Sequence, residues 1–217
     1  MCGRYTLTYA DLGEVAELLG AVLDPTAAAL YRPRYNVTPA SACIVARHAD
    51  GGRVLVPALW GMRIPGRLVI NVRTESAAAR FRNELARGRC VVPADGFFEW
   101  SGDKGHKKPV WFHDPEGRPL LMAGLLQEQP SAPPVFAVLT GPSRPPVDAV
   151  HDRMPVLLSP EGARRWLAEA PPVAQADAVP LVGTEVSARV NGTAHDDPAC
   201  IAPEGHEPKI PRQLGLF

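Results

Sequence analysis

The sequence predicts an α+β fold in which a mostly antiparallel sheet carries a few short helices. The apolar segments are short and β-branched, Gly and Pro bound them, and no regular helix separates one from the next, so a doubly wound sheet is disfavoured. With 24 Pro and 19 Gly in 217 residues, turns and short elements dominate over long helices.

Taken in order, Asp11 and Glu14 have the spacing of a capping box, and Val15, Leu18 and Leu19 follow before Gly20, which predicts a helix near 12–19. Strands are expected at 42–47, 53–59, 68–72, 90–92, 110–113, 120–126 and 135–140, each apolar and flanked by turn residues. A second helix is expected from Thr74 or Ser76 to Gly88. A third starts at Ser159 with Pro160 at its first turn and runs through Trp166. One domain over 1–202 and a Pro-rich arm over 203–217 complete the organisation.

Composition narrows the functional classes. The formal net charge is zero and 46% of residues are hydrophobic, as in globular chains. No apolar run approaches the roughly 20 residues of a membrane-spanning helix. Arg4, Asp11 and Glu14 interrupt any signal-peptide core, so the expected compartment is the cytoplasm. Cysteines 2, 43, 90 and 200 form no CxxC pair, which argues against a disulfide scaffold and a structural zinc site. Cys43, Cys90 and Cys200 read as small buried hydrophobes.

The neutral total hides a basic band. Residues 53–90 hold eight arginines against Glu75 and Glu84, a local charge of +6. All but four of the 23 basic residues are Arg, whose planar fork grips phosphate oxygens bidentately. The band is either a solvated helix face or a phosphate-binding surface.

Cys2 is the most informative single residue. Removal of Met1 would leave a 1,2-aminothiol whose amine, with a pKa of about 8, is a better nucleophile at neutral pH than a lysine near 10.4. Such an amine condenses with an aldehyde to an imine, and the neighbouring thiol can close a five-membered thiazolidine. Glu99 stands among aromatics in GFFEW (96–100), a setting that desolvates a carboxyl and raises its pKa, though the same pattern describes a surface carboxylate. His151, beside Asp152 and Arg153, is by itself an ordinary loop histidine. Trp60 and Trp100 are candidates either for stacking on bases or for the core.

The segments CGRYT (2–6), RYNVTPA (34–40), LWGMRIP (59–65), INVRTES (70–76), RCVVPADGFFEW (89–100), HDRMPVLL (151–158) and VSARVNG (186–192) occur in this order. Together they resemble the SRAP family, the SOS response-associated peptidase-like proteins that shield abasic sites in single-stranded DNA. The resemblance implies a curved, barrel-like β core. It implies that Cys2 forms a thiazolidine crosslink with the C1′ aldehyde of an opened abasic deoxyribose. Asn71 would contact the cysteine amine and the sugar, Glu99 would be the general acid and base, and His151 would assist proton transfer and crosslink reversal. Arg4, Arg73 and Arg153 would hold flanking phosphates, while Pro39 and Trp100 would pack against bases. Between Asn71 and Phe81 the spacing is shorter than the family's usual one, which leaves a further phosphate contact unassigned between Arg80 and Arg82. The chain is expected to act as a monomer with no cofactor or metal, and the resemblance further implies lyase-type imine chemistry and self-removal of Met1.

The terminal QLGLF resembles the peptide by which bacterial repair proteins dock on the DNA sliding clamp, with Gln213, Leu214, Leu216 and Phe217 entering a groove. That reading places the protein at replication sites on the nucleoid; the other is a plug folding back on the domain. Two rival activities remain open at this level. An N-terminal-nucleophile glutamine amidohydrolase also begins with Cys-Gly after loss of Met, and a non-covalent single-strand binder would use the arginines alone.

Overall fold

The structure is a computed structural model that describes residues 2–102, 107–168, 174 and 176–205. From the N-terminus the elements are β1 (Tyr5–Leu7), α1 (Gly13–Leu19), β2 (Ala21–Leu23), α2 (Pro25–Leu30), β3 (Arg34–Val37), β4 (Ala42–Ala49), β5 (Gly52–Trp60), β6 (Met62–Ile64), β7 (Arg67–Val69) and β8 (Asn71–Arg73). They continue with α3 (Thr74–Arg80), α4 (Arg82–Arg87), β9 (Arg89–Ala94), β10 (Gly96–Ser101), β11 (Lys108–His113), β12 (Leu120–Gln129), β13 (Ala132–Pro142), β14 (Arg153–Pro155), β15 (Leu157–Leu158), α5 (Pro160–Ala168) and β16 (Val182–Glu185).

The architecture is α+β, as predicted, around a closed five-stranded barrel. Strands β13, β12, β9, β4 and β5 pair antiparallel in that order. A ring of five cannot alternate direction all the way round, so one seam must be parallel; it falls between β5 and β13, with Val135 opposite Leu59 and Phe136 opposite Trp60. Closure leaves the ring without a free edge. Trp60 is fully buried, stacked on Phe136 and edge-on to Tyr5, and its indole N–H donates to the Ile70 carbonyl at 3.0 Å. Of its two open readings, Trp60 therefore takes the core one.

A second sheet, ordered β16-β11-β10-β1-β3, lies against this core and carries the N-terminus. A satellite cluster of Phe98, Val186, Val190 and Cys200 packs behind it. Cys43, Cys90 and Cys200 are buried and unpaired, as their reading required. Among the described residues no helix is long and apolar enough to cross a membrane.

The helices depart from expectation in three places. The Asp11 carboxylate accepts from the Gly13 N–H at 2.7 Å, so α1 begins at Gly13; it closes on Gly20 at φ 56°. α2 has no counterpart among the expected helices, although Asp24 caps Thr26 and Ala27 and Pro25 takes the first helical position. The helix expected from 74 to 88 is two helices, because Phe81 turns out of helical geometry at φ −130° and ψ 41°. The strand expected at 68–72 likewise divides into β7 and β8. Beyond residue 202 the chain is still fastened, since Pro203 bridges Val186 and the Glu204 N–H donates to the Glu185 carbonyl.

Candidate functional site

β1 and β10 bring the N-terminus to Glu99. Tyr5 lies opposite Phe97 and Thr6 opposite Gly96, and continuing that register runs residues 2–4 alongside 98–100. The Phe98 N–H donates to the Arg4 carbonyl at 3.0 Å, which extends the ladder past the strand end. Along β10 side chains alternate, so Phe97 and Glu99 share the face turned to the barrel. Phe98 and Trp100 turn to the satellite cluster. Glu99 is therefore desolvated by tertiary packing against the barrel and not, as its sequence setting predicted, by its immediate neighbours Phe98 and Trp100, which point away. Only 3% of Glu99 is exposed, and burial raises its carboxyl above the ordinary range, with His151 opposing part of the shift.

Cys2 is fully buried. Its thiol donates to the Arg4 carbonyl at 3.5 Å, and its own carbonyl accepts from Asn71 Nδ2 at 2.7 Å. Burial drives the thiol far above its usual pKa, and the charge of Glu99 adds to this, so the resting sulfur is neutral. Asn71 stands at the start of β8, which pairs parallel with β13 through Val138. Its Oδ1 is buried with no hydrogen-bond partner, an acceptor left over at the site.

His151 follows the short turn Val147–Ala149 and precedes β14. Its Nδ1 accepts from the Arg153 backbone N–H at 2.9 Å. Its interaction with Glu99 closes a set in which Cys2, Asn71, Glu99 and His151 converge, drawn from the N-terminus, β8, β10 and the loop before β14.

The remaining predicted residues are spread around this centre. Arg4 is half-buried and donates through one Nη to Asn36 Oδ1 at 2.8 Å and to the Val190 carbonyl at 2.6 Å. Arg73 is exposed and, with Asn71, Arg67, Ser76, Arg80 and Phe81, lines a cleft of about 410 Å³. Pro39 is half-buried in the β3–β4 turn, before Ala40 at φ 66°. Trp100 is half-buried, its indole N–H donating to Asn191 Oδ1 at 2.7 Å. Arg153 is buried rather than presented to solvent, and its guanidinium is committed to Glu75 and the Thr140 carbonyl. Gln213, Leu214, Leu216 and Phe217 lie outside the described residues.

Sequence reasoning gave no role to Asn36. It is 1% exposed and donates through Nδ2 to the carbonyls of Val190, Gly192 and His195, tying β3 to the VSARVNG segment. Its place inside the motif RYNVTPA was the available signal. Among the described residues no group of His, Cys, Asp and Glu forms a metal site.

A model of the family described as SOS response associated peptidase (SRAP) matches residues 1–192. The chain is 33% identical over 143 residues to the abasic site processing protein YedK of Escherichia coli (strain K12), covering 62% of this chain and 64% of that protein. The match therefore spans less than two thirds of that relative's length. It is 29% identical over 181 residues to the abasic site processing protein YoqW of Bacillus subtilis (strain 168), covering 77% and 80%. Among solved structures, a phage-related protein of Bordetella bronchiseptica matches with a TM-score of 0.62 and 31% identity, over 80% of this chain and 84% of that one. A protein of Bacteroides thetaiotaomicron reaches a TM-score of 0.76 at 18% identity, covering 92% and 98%, which is a likeness of fold alone.

Proposed function

The chain belongs to the SRAP family, and from that premise we propose that it processes abasic sites in single-stranded DNA through a covalent adduct on Cys2. One observation carries the reading: residue 2 is held at its carbonyl by Asn71 and lies within electrostatic reach of Glu99, a buried carboxyl whose proton affinity burial raises.

Loss of Met1 frees the Cys2 amine. An abasic sugar is mostly a closed hemiacetal. Protonated Glu99 would donate to the ring oxygen as the C1′ hydroxyl gives up its proton, so the C1′–O4′ bond breaks and the aldehyde appears. The amine then attacks C1′, and loss of water gives the imine. Because the thiol rests neutral, the amine is the first nucleophile and the sulfur the second. Its addition to C1′ closes the thiazolidine, the thiol proton passing to nitrogen. Glu99 and His151 would carry protons in both directions, so the same pair serves reversal. β-Elimination from the imine would be the lyase branch, and removal of Met1 would be the peptidase activity.

Arg4 and Arg73 would hold flanking phosphates, with Pro39 and Trp100 against bases. The tail residues Gln213, Leu214, Leu216 and Phe217 would dock on a sliding clamp and raise the local concentration at replication sites. A chain ending at Pro211 should then lose the clamp in a pull-down.

The deciding experiment mixes the protein with an oligonucleotide bearing one abasic site and looks for a heat-stable, SDS-resistant band. The band should need both Cys2 and the lesion. No band from protein shown by mass to lack Met1 overturns the covalent reading. Ammonia release from glutamine would then favour the amidohydrolase, and equal binding of intact and abasic strands the plain binder.

A further inference from the structure

The geometry points to Glu75 as a positioning residue that, through Arg153, holds the His151 ring with its proton on Nε2. This rests on the reading of His151 as a proton carrier. Two groups compete for Nδ1 of that ring: the Arg153 backbone N–H and the Asp152 carboxylate each lie 2.9 Å away. The N–H needs a lone pair on Nδ1 and so puts the ring proton on Nε2. The carboxylate needs the proton on Nδ1. What decides between them is where the backbone of residue 153 sits.

That backbone is tethered by its own side chain. The Arg153 guanidinium donates to both oxygens of Glu75, at 2.5 and 2.9 Å, and to the Thr140 carbonyl at 2.5 Å. Its side chain is 10% exposed while that of Glu75 is 57% exposed, so the cation is the buried partner and the carboxylate reaches in from α3. The same contact holds the Glu75 carboxyl at about 2, well below the ordinary range. Without Glu75 a nearly buried cation would lose its hydrogen-bonded counter-charge and keep only Asp152 nearby, a state that drives a side chain outward to water. Residue 153 would follow, and Asp152 would take Nδ1. Among the described residues, Asp152 and Glu99 are acidic groups that act on the ring, and the Arg153 cation in turn acts on Asp152.

The arrangement also ties the two halves of the site together, because α3 begins directly after Asn71, Val72 and Arg73. A salt bridge with one partner buried is weak evidence for stability by itself, since desolvation offsets the attraction. Its effect here is orientation.

The test uses the full chain. Long-range ¹H–¹⁵N correlation of the free protein should find His151 in the Nε2–H form, and Glu75→Gln should shift it toward Nδ1–H. Crosslinking by Glu75→Gln at saturating DNA should slow by about tenfold, the scale of weakened proton-transfer assistance. Affinity for an undamaged strand should hold or rise, because a negative charge leaves the arginine band. Glu75→Asp should recover part of the rate. An unchanged tautomer with an unchanged rate overturns the proposal. If the unaltered protein forms no band at all, the covalent reading fails separately, and the tautomer comparison still decides the brace.

Discussion

Glu99 shows how much one residue's surroundings decide. Its carboxyl is raised by burial, so the folded state holds a proton that the unfolded chain releases near 4.3. Between those values the folded state binds more protons, and stability therefore falls as pH rises past about 4.3. Glu99→Gln should consequently raise the melting temperature at pH 8 and lose that advantage near pH 4, as thermal scans at the two pH values would read. The same variant should slow crosslinking by about 10²–10⁴-fold, the usual worth of a positioned acid. A stabilised variant with full activity would remove Glu99 from the chemistry. Glu75 is the opposite case. Its lowered carboxyl stabilises above the unfolded value, and this contribution disappears as pH falls through about 2.

At the scale of elements, β10 and its turn carry the constraint. A Cβ on Gly96 would come 2.0 Å from the Trp111 indole nitrogen and 2.9 Å from the Phe112 carbonyl oxygen, so β11 can approach only a glycine. Gly96→Ala should cost about 1–3 kcal/mol, as overpacking does, measured by denaturant unfolding. Because this glycine starts the strand that bears Glu99, crosslinking should fall with it. Asp24→Ala, at the cap of α2 and away from the site, should cost about 1 kcal/mol and leave the chemistry intact. The β10 strand was legible as a motif but not as a strand, since GFFEW has no two-residue polar alternation: both of its faces are buried. The expected long helix failed at Phe81, whose side chain is 9% exposed and packs into the core.

Across the whole molecule the arginine band is distributed rather than confined to one helix face. Arg63, Arg67, Arg73, Arg80, Arg82 and Arg87 are all exposed, on the β6–β7 hairpin, β8, α3 and α4, and among the described residues none of them forms an ion pair. Binding to an undamaged single strand should therefore weaken steeply with salt, by about 0.7 in the log–log slope for each phosphate neutralised. Arg73→Ala should reduce the slope by about that amount in a fluorescence titration. A slope that Arg73→Ala leaves alone would move the strand off this face.

By itself the sequence determined the α+β class, most of the barrel strands and the residues worth testing, because apolar periodicity, turn chemistry and an N-terminal aminothiol are local properties. Only the tertiary structure decided the parallel seam, which follows from closing an odd ring, and the burial that raises Glu99. It also decided the commitment of Arg153 to Glu75. Those depend on pairings between segments that lie scores of residues apart in the chain, and no local pattern encodes which buried charge will find which partner.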